Sequence, residues 1–386
     1  MYREIRNVTF IGAGNMGCFN AAKAACAGYR VTLYDINEAS LDRARVLCQG
    51  YADYFLSTDY CSAETARQAI SDIIFTTDFA LASSDADLVS ESVFEQLDLK
   101  REVHRNLDTL CQTHTILTTN ASFLLGSHIE DAVARGDRFA AMHSYMGSPL
   151  VDIVASGRTS VATINSLEAY THSLKAVPLI LKKEHPGYVL NAILAPFLGM
   201  SMTLIAEGFA SIEQVDRAWM TFRSAPMGPM GIMDIIGLNL IQNGWESRPT
   251  DTVDAGLKAR VLAILNPMVA ENQLGAATGM GFYQYPEPAF AQPGFLRHEP
   301  AIEALYQPLM TVWIASAVKV AAADIVNPVE IDRAWMIGTS LDQGPFGVLR
   351  TMGSDAFIVM LEGLVAAGGF SADDAALVRA YLQNNA

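Results

Sequence analysis

The stretch Gly12-Ala13-Gly14-Asn15-Met16-Gly17 constrains this chain more than any other, because it lies between an apolar β-prone run, Asn7 to Ile11, and an Ala-rich run, Cys18 to Ala27. A short apolar run without alternation suits a strand buried on both faces of a parallel sheet, and the Ala-rich run closed by Gly28 predicts a helix. A second strand, Arg30 to Tyr34, ends at Asp35, 21 residues after Gly14. Strand, glycine turn, helix, strand and acid in this order form a dinucleotide-binding fingerprint, which the glycine pattern alone would not. Gly12 permits the tight turn, Gly14 lets the backbone approach a pyrophosphate, and Gly17 lets helix and strand pack. The helix amino terminus, with Asn15 and Met16, meets the phosphates. Asp35 would accept hydrogen bonds from ribose hydroxyls and repel a 2'-phosphate, so the expected cofactor is NAD and not NADP.

The βα alternation continues. A helical excursion over residues 38–72 precedes strands at residues 73–76, 87–90 and 115–119, and Lys100 to Leu110 reads as a helix. Taken alone, Glu91 to Lys100 (ESVFEQLDLK) reads as a solvated loop leading into an exposed helix start. The expected fold is an α/β Rossmann-type dinucleotide-binding domain followed by an all-α region made of two repeated helical domains.

The repeat is explicit in the sequence. Val215-Asp216-Arg217-Ala218-Trp219-Met220 recurs as Ile331-Asp332-Arg333-Ala334-Trp335-Met336, an offset of 116 residues. With no gap, Gly228-Pro229-Met230-Gly231 falls on Gly344-Pro345-Phe346-Gly347, and Gly237 on Gly353. A match of this length marks two copies of one helical unit. The expected domains are therefore residues 1–185, 186–290 and 291–386, with His185-Pro186-Gly187 as the linker, since helices seldom run into proline. Trp219 and Trp335 are expected in the core or between the copies.

Composition excludes several classes of function. A chain of 386 residues, 51% hydrophobic and 17% charged, has material for two or three cores and reads as a soluble multidomain protein. Its formal charge of -15 argues against nucleic acid or an anionic membrane as partner, leaving a small-molecule substrate. The five cysteines are odd in number and show no metal-ligand spacing, which suits a reducing cytoplasm. The first residues run directly into a strand, leaving no room for a secretory leader. Val189 to Ala206 is apolar enough to suggest a membrane span, but Asn191, Pro196 and Gly199 interrupt it, so a buried helix is expected.

Between the two halves, Ala140 to Val154 carries His143 and, nine residues on, Asp152 among apolar neighbours. Imidazole passes protons near neutral pH, and a carboxylate can orient it. Together with the fingerprint, Thr76 to Asp78, ESVFE, Asn120-Ala121-Ser122, Met142-His143, Pro186-Gly187-Tyr188, Asn191, Pro226 to Pro229 and Gly281-Phe282-Tyr283 fall in one order that resembles the 3-hydroxyacyl-CoA dehydrogenase family over residues 5–285. The resemblance implies an NAD-dependent oxidoreductase that interconverts 3-hydroxyacyl and 3-oxoacyl compounds. It makes His143 the proton acceptor, Ser122 and Asn191 substrate ligands, and Glu95, Lys100 and Asn120 cofactor-side residues. It also implies that two linked copies of the helical domain take the place of a dimer, so a monomeric pseudo-dimer is expected, with a homodimer as the alternative.

The family's orienting glutamate has two possible counterparts. Without a gap it falls on Ala155, which would leave a turnover-deficient NAD-binding protein. With about three residues deleted after His143, Leu150-Val151-Asp152-Ile153-Val154 matches the family's LVEVI and Asp152 replaces the glutamate. The second alignment is preferred, because a shortened loop costs little while a shifted strand turns every side chain over. The surface expected to touch CoA, residues 38–72, carries Arg43, Arg45 and Arg67 against Glu38, Asp42, Asp53, Asp59, Glu64 and Asp72. A non-CoA hydroxy acid or diketo compound is therefore the alternative substrate to an acyl thioester. Tyr51, Tyr54, Phe55 and Tyr60 read as core or as a base-stacking surface, and Glu184 and Asp234 as less supported second bases.

Overall fold

The computed structural model describes residues 4–248, 255–297 and 299–385. Residues 1–3, the start of the stretch expected to leave no room for a leader, lie outside them. Two compact units divide the chain: Met1–Val189 with Asp324–Glu330 and Ile337–Thr339, and Leu190–Ala323 with Ile331–Met336 and Ser340–Ala386. Both expected helical copies lie largely within the second unit, apart from residues 186–189 of the first copy and two short pieces of the later one.

The first unit is built on one sheet of eight strands: β1 (Asn7–Ile11), β2 (Arg30–Tyr34), β3 (Ile74–Thr76), β4 (Leu88–Glu91), β5 (Ile116–Thr119), β6 (Phe139–Ser144), β7 (Leu150–Ala155) and β8 (Val177–Leu181). The spatial order is β3-β2-β1-β4-β5-β6-β7-β8. Every neighbouring pair is parallel except β6 and β7, which are antiparallel. Between the strands run α1 (Asn15–Cys26), α2 (Glu38–Ser57), α3 (Ala63–Asp72), α4 (Phe79–Ser84), α5 (Leu97–Leu110), α6 (Gly126–Glu130) and α7 (Val161–Ser173).

Both faces of the sheet are covered, which is why its strands read as apolar runs without alternation. On one face Val8, Phe10 and Leu33 join Phe19 of α1, Leu41 and Phe55 of α2, and Leu167 of α7. On the other, Ile11, Val89, Leu117 and Phe139 join Leu107 of α5 and Ile129 of α6. The aromatic residues of the excursion are largely core: Phe55 packs on Phe19 and Tyr60, and Tyr51 meets Phe19 edge-on. Beyond β8, the Lys182 amide donates to the Ile325 carbonyl at 2.9 Å and its ammonium to Asp324 at 2.6 Å.

The second unit contains α8 (Leu190–Ala206), α9 (Ile212–Arg223), α10 (Pro229–Ile236), α11 (Leu238–Glu246), α12 (Ala255–Ala270), α13 (Ile302–Ala322), the middle of α14 (Pro328–Thr339), α15 (Pro345–Met352), α16 (Ser354–Ala366) and α17 (Ala372–Asn384). Gly275 to Gln284 breaks the expected helical continuity with two isolated β-bridges. None of the described helices is long and apolar enough to cross a membrane. Adding the 116-residue offset to the bounds of α9 and α10 reproduces those of α14 and α15.

The atoms repeat as well. Asp216 accepts from the Met230 amide at 2.7 Å, and Asp332 from the Phe346 amide at 2.7 Å. A Cβ on Gly228 would meet Asp216 at 2.4 Å, and one on Gly344 would meet Asp332 at 2.4 Å, so each glycine is required by the aspartate that caps the next helix. Phe197 of α8 and Trp313 of α13 are also offset by 116 residues. Phe197 meets Trp219 at 52° and Trp313 meets Trp335 at 52°, while the cross pairs Trp219–Trp313 and Phe197–Trp335 meet at 87° and 90°. Equivalent angles on exchange of the copies describe a pseudo-two-fold aromatic core.

Trp313 touches both other tryptophans of this core and lies under the Arg223 guanidinium, 5.2 Å from its ring. Replacing it with alanine should cost about 3–5 kcal/mol through lost burial and the cavity left behind. Denaturant unfolding of the variant would register this, and an unchanged midpoint would remove the aromatic core from the account of stability.

Candidate active site

The glycine turn is shaped as its spacing requires. Gly12 has φ +100°, and a Cβ there would lie 2.8 Å from the Ser92 carbonyl oxygen. A Cβ on Gly17 would lie 1.9 Å from the Gly12 carbonyl oxygen, so Gly17 is needed for the turn itself more than for the packing of helix on strand. Around the Cβ direction of Gly14 there is open space, with no atom within 4 Å. Gly14 caps α1 without a side-chain bond, and the first turn contains no acid. The first N–H groups of the helix thus have no side-chain cap, and the positive end of the helix dipole lies behind them, a fit to a pyrophosphate. Asn15 is exposed and Met16 half-buried in that turn. Asp35 accepts from the Ala13 amide at 2.9 Å and the Asn37 amide at 3.1 Å, which fixes its carboxylate while leaving lone pairs for ribose hydroxyls.

Next to the turn, the ESVFEQLDLK segment is exposed over Phe94 to Gln96 but buried at both ends, Glu91 and Lys100. Glu91, the last residue of β4, is fully buried and binds the Lys100 ammonium at 2.6 Å. It also accepts from Thr119 Oγ1 and from the Val93 amide, each at 2.8 Å. His104 Nε2 lies 3.4 Å from the second carboxylate oxygen, a contact of polar groups without good hydrogen-bond alignment. Burial alone would raise the Glu91 carboxyl; the His104 imidazole and the Lys100 charge outweigh it and hold the group down at about 2. The helix begins at Leu97, so Lys100 lies within its first turn with only 1% of its side chain exposed. Lys100 is turned into the protein, onto Glu91 and the Val93 carbonyl. Glu95 is exposed and accepts from three successive amides, Ser122 at 3.0 Å, Phe123 at 2.5 Å and Leu124 at 2.8 Å.

Glu95 thereby shapes the turn that follows β5. There Asn120 Oδ1 accepts from the Ser144 amide at 2.8 Å, tying the end of β5 to the end of β6. Ser122 Oγ lies 3.2 Å from His143 Nε2. The antiparallel register sets His143 opposite Asp152 and Ala155 opposite Ala140. Directly opposed residues project to the same face of the sheet, so the pairing brings imidazole and carboxylate together. His143 Nδ1 lies 3.4 Å from Asp152 Oδ2. Asp152 is fully buried and His143 is 4% exposed.

Two tyrosines complete the surroundings, and the sequence reading had singled out neither for a role. Tyr145 donates to Asp152 Oδ2 at 2.5 Å and meets the imidazole edge-on at 4.5 Å. Tyr188 stacks on the imidazole at 4.8 Å and 21°, and donates to the Ala121 carbonyl at 2.7 Å. Burial pushes the Tyr188 phenol up, which keeps it a donor. Its φ of +52° is uncommon for an aromatic residue. The only sequence signals for these two were an aromatic two residues after the histidine and another after Pro186-Gly187.

Asn191 is the second residue of α8 and belongs to the second unit. Glu184 accepts from the Ser127 amide at 2.7 Å, and Asp234 from the Phe282 and Tyr283 amides at 2.8 and 2.9 Å, so both carboxylates cap backbone.

Glu91→Gln should lose about 3–5 kcal/mol, because it strands the buried Lys100 charge. The Glu91 carboxyl is held below its ordinary value of 4.5, so its contribution is complete above that pH and is lost as pH falls through about 2. Denaturant midpoints at neutral pH test this, and equal midpoints for variant and parent would reject the assignment.

Residues 7–184 match the NAD binding domain of 3-hydroxyacyl-CoA dehydrogenase, and residues 187–285 match its C-terminal domain. The mitochondrial hydroxyacyl-coenzyme A dehydrogenase of Homo sapiens is 32% identical over 296 residues, covering 73% of this chain and 91% of that protein. A diketoreductase, solved in a study of its dual catalysis of dicarbonyl compounds, is 34% identical with a TM-score of 0.66, covering 73% of this chain and 100% of its own. The 3-hydroxybutyryl-CoA dehydrogenase of Escherichia coli K12 shares the fold over 99% of both chains, with a TM-score of 0.78 at 19% identity. A match running through both domains makes this chain a member of the 3-hydroxyacyl-CoA dehydrogenase family, and thus an NAD-dependent oxidoreductase.

Proposed function

We propose that the chain interconverts 3-hydroxyacyl and 3-oxoacyl compounds, with His143 as acid and base. The observation that carries this reading is the file Ser122 Oγ, His143, Asp152, with contacts of 3.2 and 3.4 Å on opposite ring nitrogens. A carboxylate at Nδ1 favours the tautomer protonated there, leaving Nε2 with a lone pair. His143 Nε2 then takes the proton of the substrate hydroxyl, and the imidazolium is balanced by Asp152 without a proton passing to the carboxylate. Ser122 holds the same substrate oxygen by donating to it. NAD, when bound, accepts the hydride from the carbon that bears this oxygen. In the reverse direction the imidazolium returns its proton. Asn191 keeps the substrate-ligand role that the resemblance implies, and Asn120 and Glu95 a cofactor-side role.

The acyl carrier has two readings. Family membership favours an acyl-CoA thioester. The acidic balance of α2 and α3, and the likeness to a diketoreductase, favour a free dicarbonyl compound. NADH oxidation with acetoacetyl-CoA and with free 3-oxo acids separates the two, and turnover confined to the free acids would reject the thioester.

The turnover-deficient alternative rested on Ala155, which pairs with Ala140 and not with His143. We further infer a monomer, because the aromatic core between the two helical copies is already formed within one chain, and a cytoplasmic location, because all five cysteines are free. Light scattering should give one chain per particle, and a stable dimer would overturn the first of these.

Asp152→Asn should lower kcat by about 10²- to 10⁴-fold while NAD affinity stays within twofold, since the residue acts on the imidazole alone. Steady-state kinetics with calorimetric NAD titration provide the check, and an unchanged kcat would remove Asp152 from the mechanism.

A further inference from the structure

Asp152 occupies an unusual position for a buried carboxylate. It is fully buried, its Oδ1 has no hydrogen-bond partner, and its Oδ2 is shared by two donors. The two are unequal. His143 Nδ1 stands at 3.4 Å, beyond the usual range for a nitrogen donor, while the Tyr145 hydroxyl stands at 2.5 Å, the length of a charge-assisted O–H···O⁻ bond. The tyrosine therefore holds the carboxylate more firmly than the histidine does.

The chain explains how this arises. Tyr145 is the first residue past β6, and residues 145–149 alone connect it to β7, which carries Asp152. The tyrosine thus closes the same hairpin that opposes His143 to Asp152. Its ring meets the imidazole edge-on, so the hydroxyl is carried past the histidine to the carboxylate. A glutamate in place of Asp152 would extend the side chain by about 1.5 Å, one carbon–carbon bond. That would drive the carboxylate into a hydroxyl already in close contact.

We propose that Tyr145 is a positioning residue: its hydroxyl, by donating to Asp152 Oδ2, fixes the carboxylate against His143 and allows the shorter acid to orient the base. Tyr145 and Asp152 then act as one unit, in which aspartate requires tyrosine and glutamate would require phenylalanine. The inference rests on His143 being the acid and base, and deepens that reading.

The test is a cycle of four full-length proteins: the parent, Tyr145→Phe, Asp152→Glu and the double variant. Tyr145→Phe keeps the ring and its packing. It should lower kcat on the order of 10- to 100-fold with KM within twofold, as expected when orientation of a general base is loosened. Asp152→Glu alone should fall similarly, and the double variant should recover to within about threefold of the parent, a coupling that marks residues in one hydrogen-bonded network. A second readout needs no turnover. In nitrogen-15 spectra without NAD, the neutral His143 ring should be held as the Nδ1–H tautomer in the parent and become mixed in Tyr145→Phe. Parental kcat and tautomer in Tyr145→Phe, or losses that simply add in the double variant, would overturn the proposal. If His143→Gln retained turnover, the reading of His143 as the base would fail by itself, and the tautomer measurement would still decide whether Tyr145 positions the ring.

Discussion

Antiparallel pairing of β6 with β7 is the constraint on which the site depends. All other neighbouring strands of the sheet are parallel, and a parallel neighbour cannot follow through a five-residue connection. The reversal after Ser144 brings a second strand back beside the first, so a histidine near the end of one meets an acid near the start of the other. From there a chain of polar contacts runs across the ends of β4 to β7. Glu91 accepts from Thr119, Asn120 from the Ser144 amide, Ser122 meets His143, and His143 meets Asp152. In an interior of low dielectric each such group is costly unless paired, so each contact fixes the next. The geometry of the proposed site is thus a property of strand ends, the usual location of ligand sites in open α/β sheets.

The helical repeat has kept its packing and let its chemistry diverge. The aspartate caps at Asp216 and Asp332, the glycines that accommodate them and the quartet of aromatic rings all survive in both copies. What differs is the third partner of each aspartate: the Tyr283 hydroxyl at 2.9 Å for Asp216, the Arg350 guanidinium at 3.3 Å for Asp332. Asn191 of the earlier copy corresponds to Gln307 of the later one. Residues that close a helix junction tolerate little change, because a Cβ or a lost cap is felt at once. Residues facing outward carry no such restraint. The second copy reads as a structural counterpart of the first.

These features were unequally legible in the sequence, for physical reasons. The glycine turn and Asp35 are local: spacing fixes the backbone, and the backbone fixes what can bind. The repeat was legible down to helix boundaries because the capping aspartates and glycines that end helices are the residues repeated. Asp152 was legible only as a choice against Ala155, since that choice depends on loop length; the strand register sets Asp152, and not Ala155, opposite His143. The burial of Glu91 and Lys100 was not legible, because an acidic run beside a lysine has the composition of a solvated surface, and burial of an ion pair leaves no periodic trace. Tyr145 and Tyr188 escaped notice for a related reason. Their roles depend on a hairpin closure and on a positive φ, which one-dimensional patterns do not record.

The acidity of the chain does not conflict with an anionic cofactor. A formal charge of -15 acts at a distance, and salt screens exposed charges beyond about 8 Å. On the proposed reading, what would meet a pyrophosphate is local and largely uncharged: the amides at the start of α1, with no acid in that turn to oppose them and no side chain at Gly14 to stand in the way. The acid proposed to face the ribose is Asp35, whose carboxylate two backbone amides hold in place. Backbone dipoles at this position would do the work that basic side chains would otherwise do. Because these dipoles are fixed by the strand–helix junction, binding requires little reorganisation of the protein, and a net acidic surface remains compatible with a site for a dinucleotide.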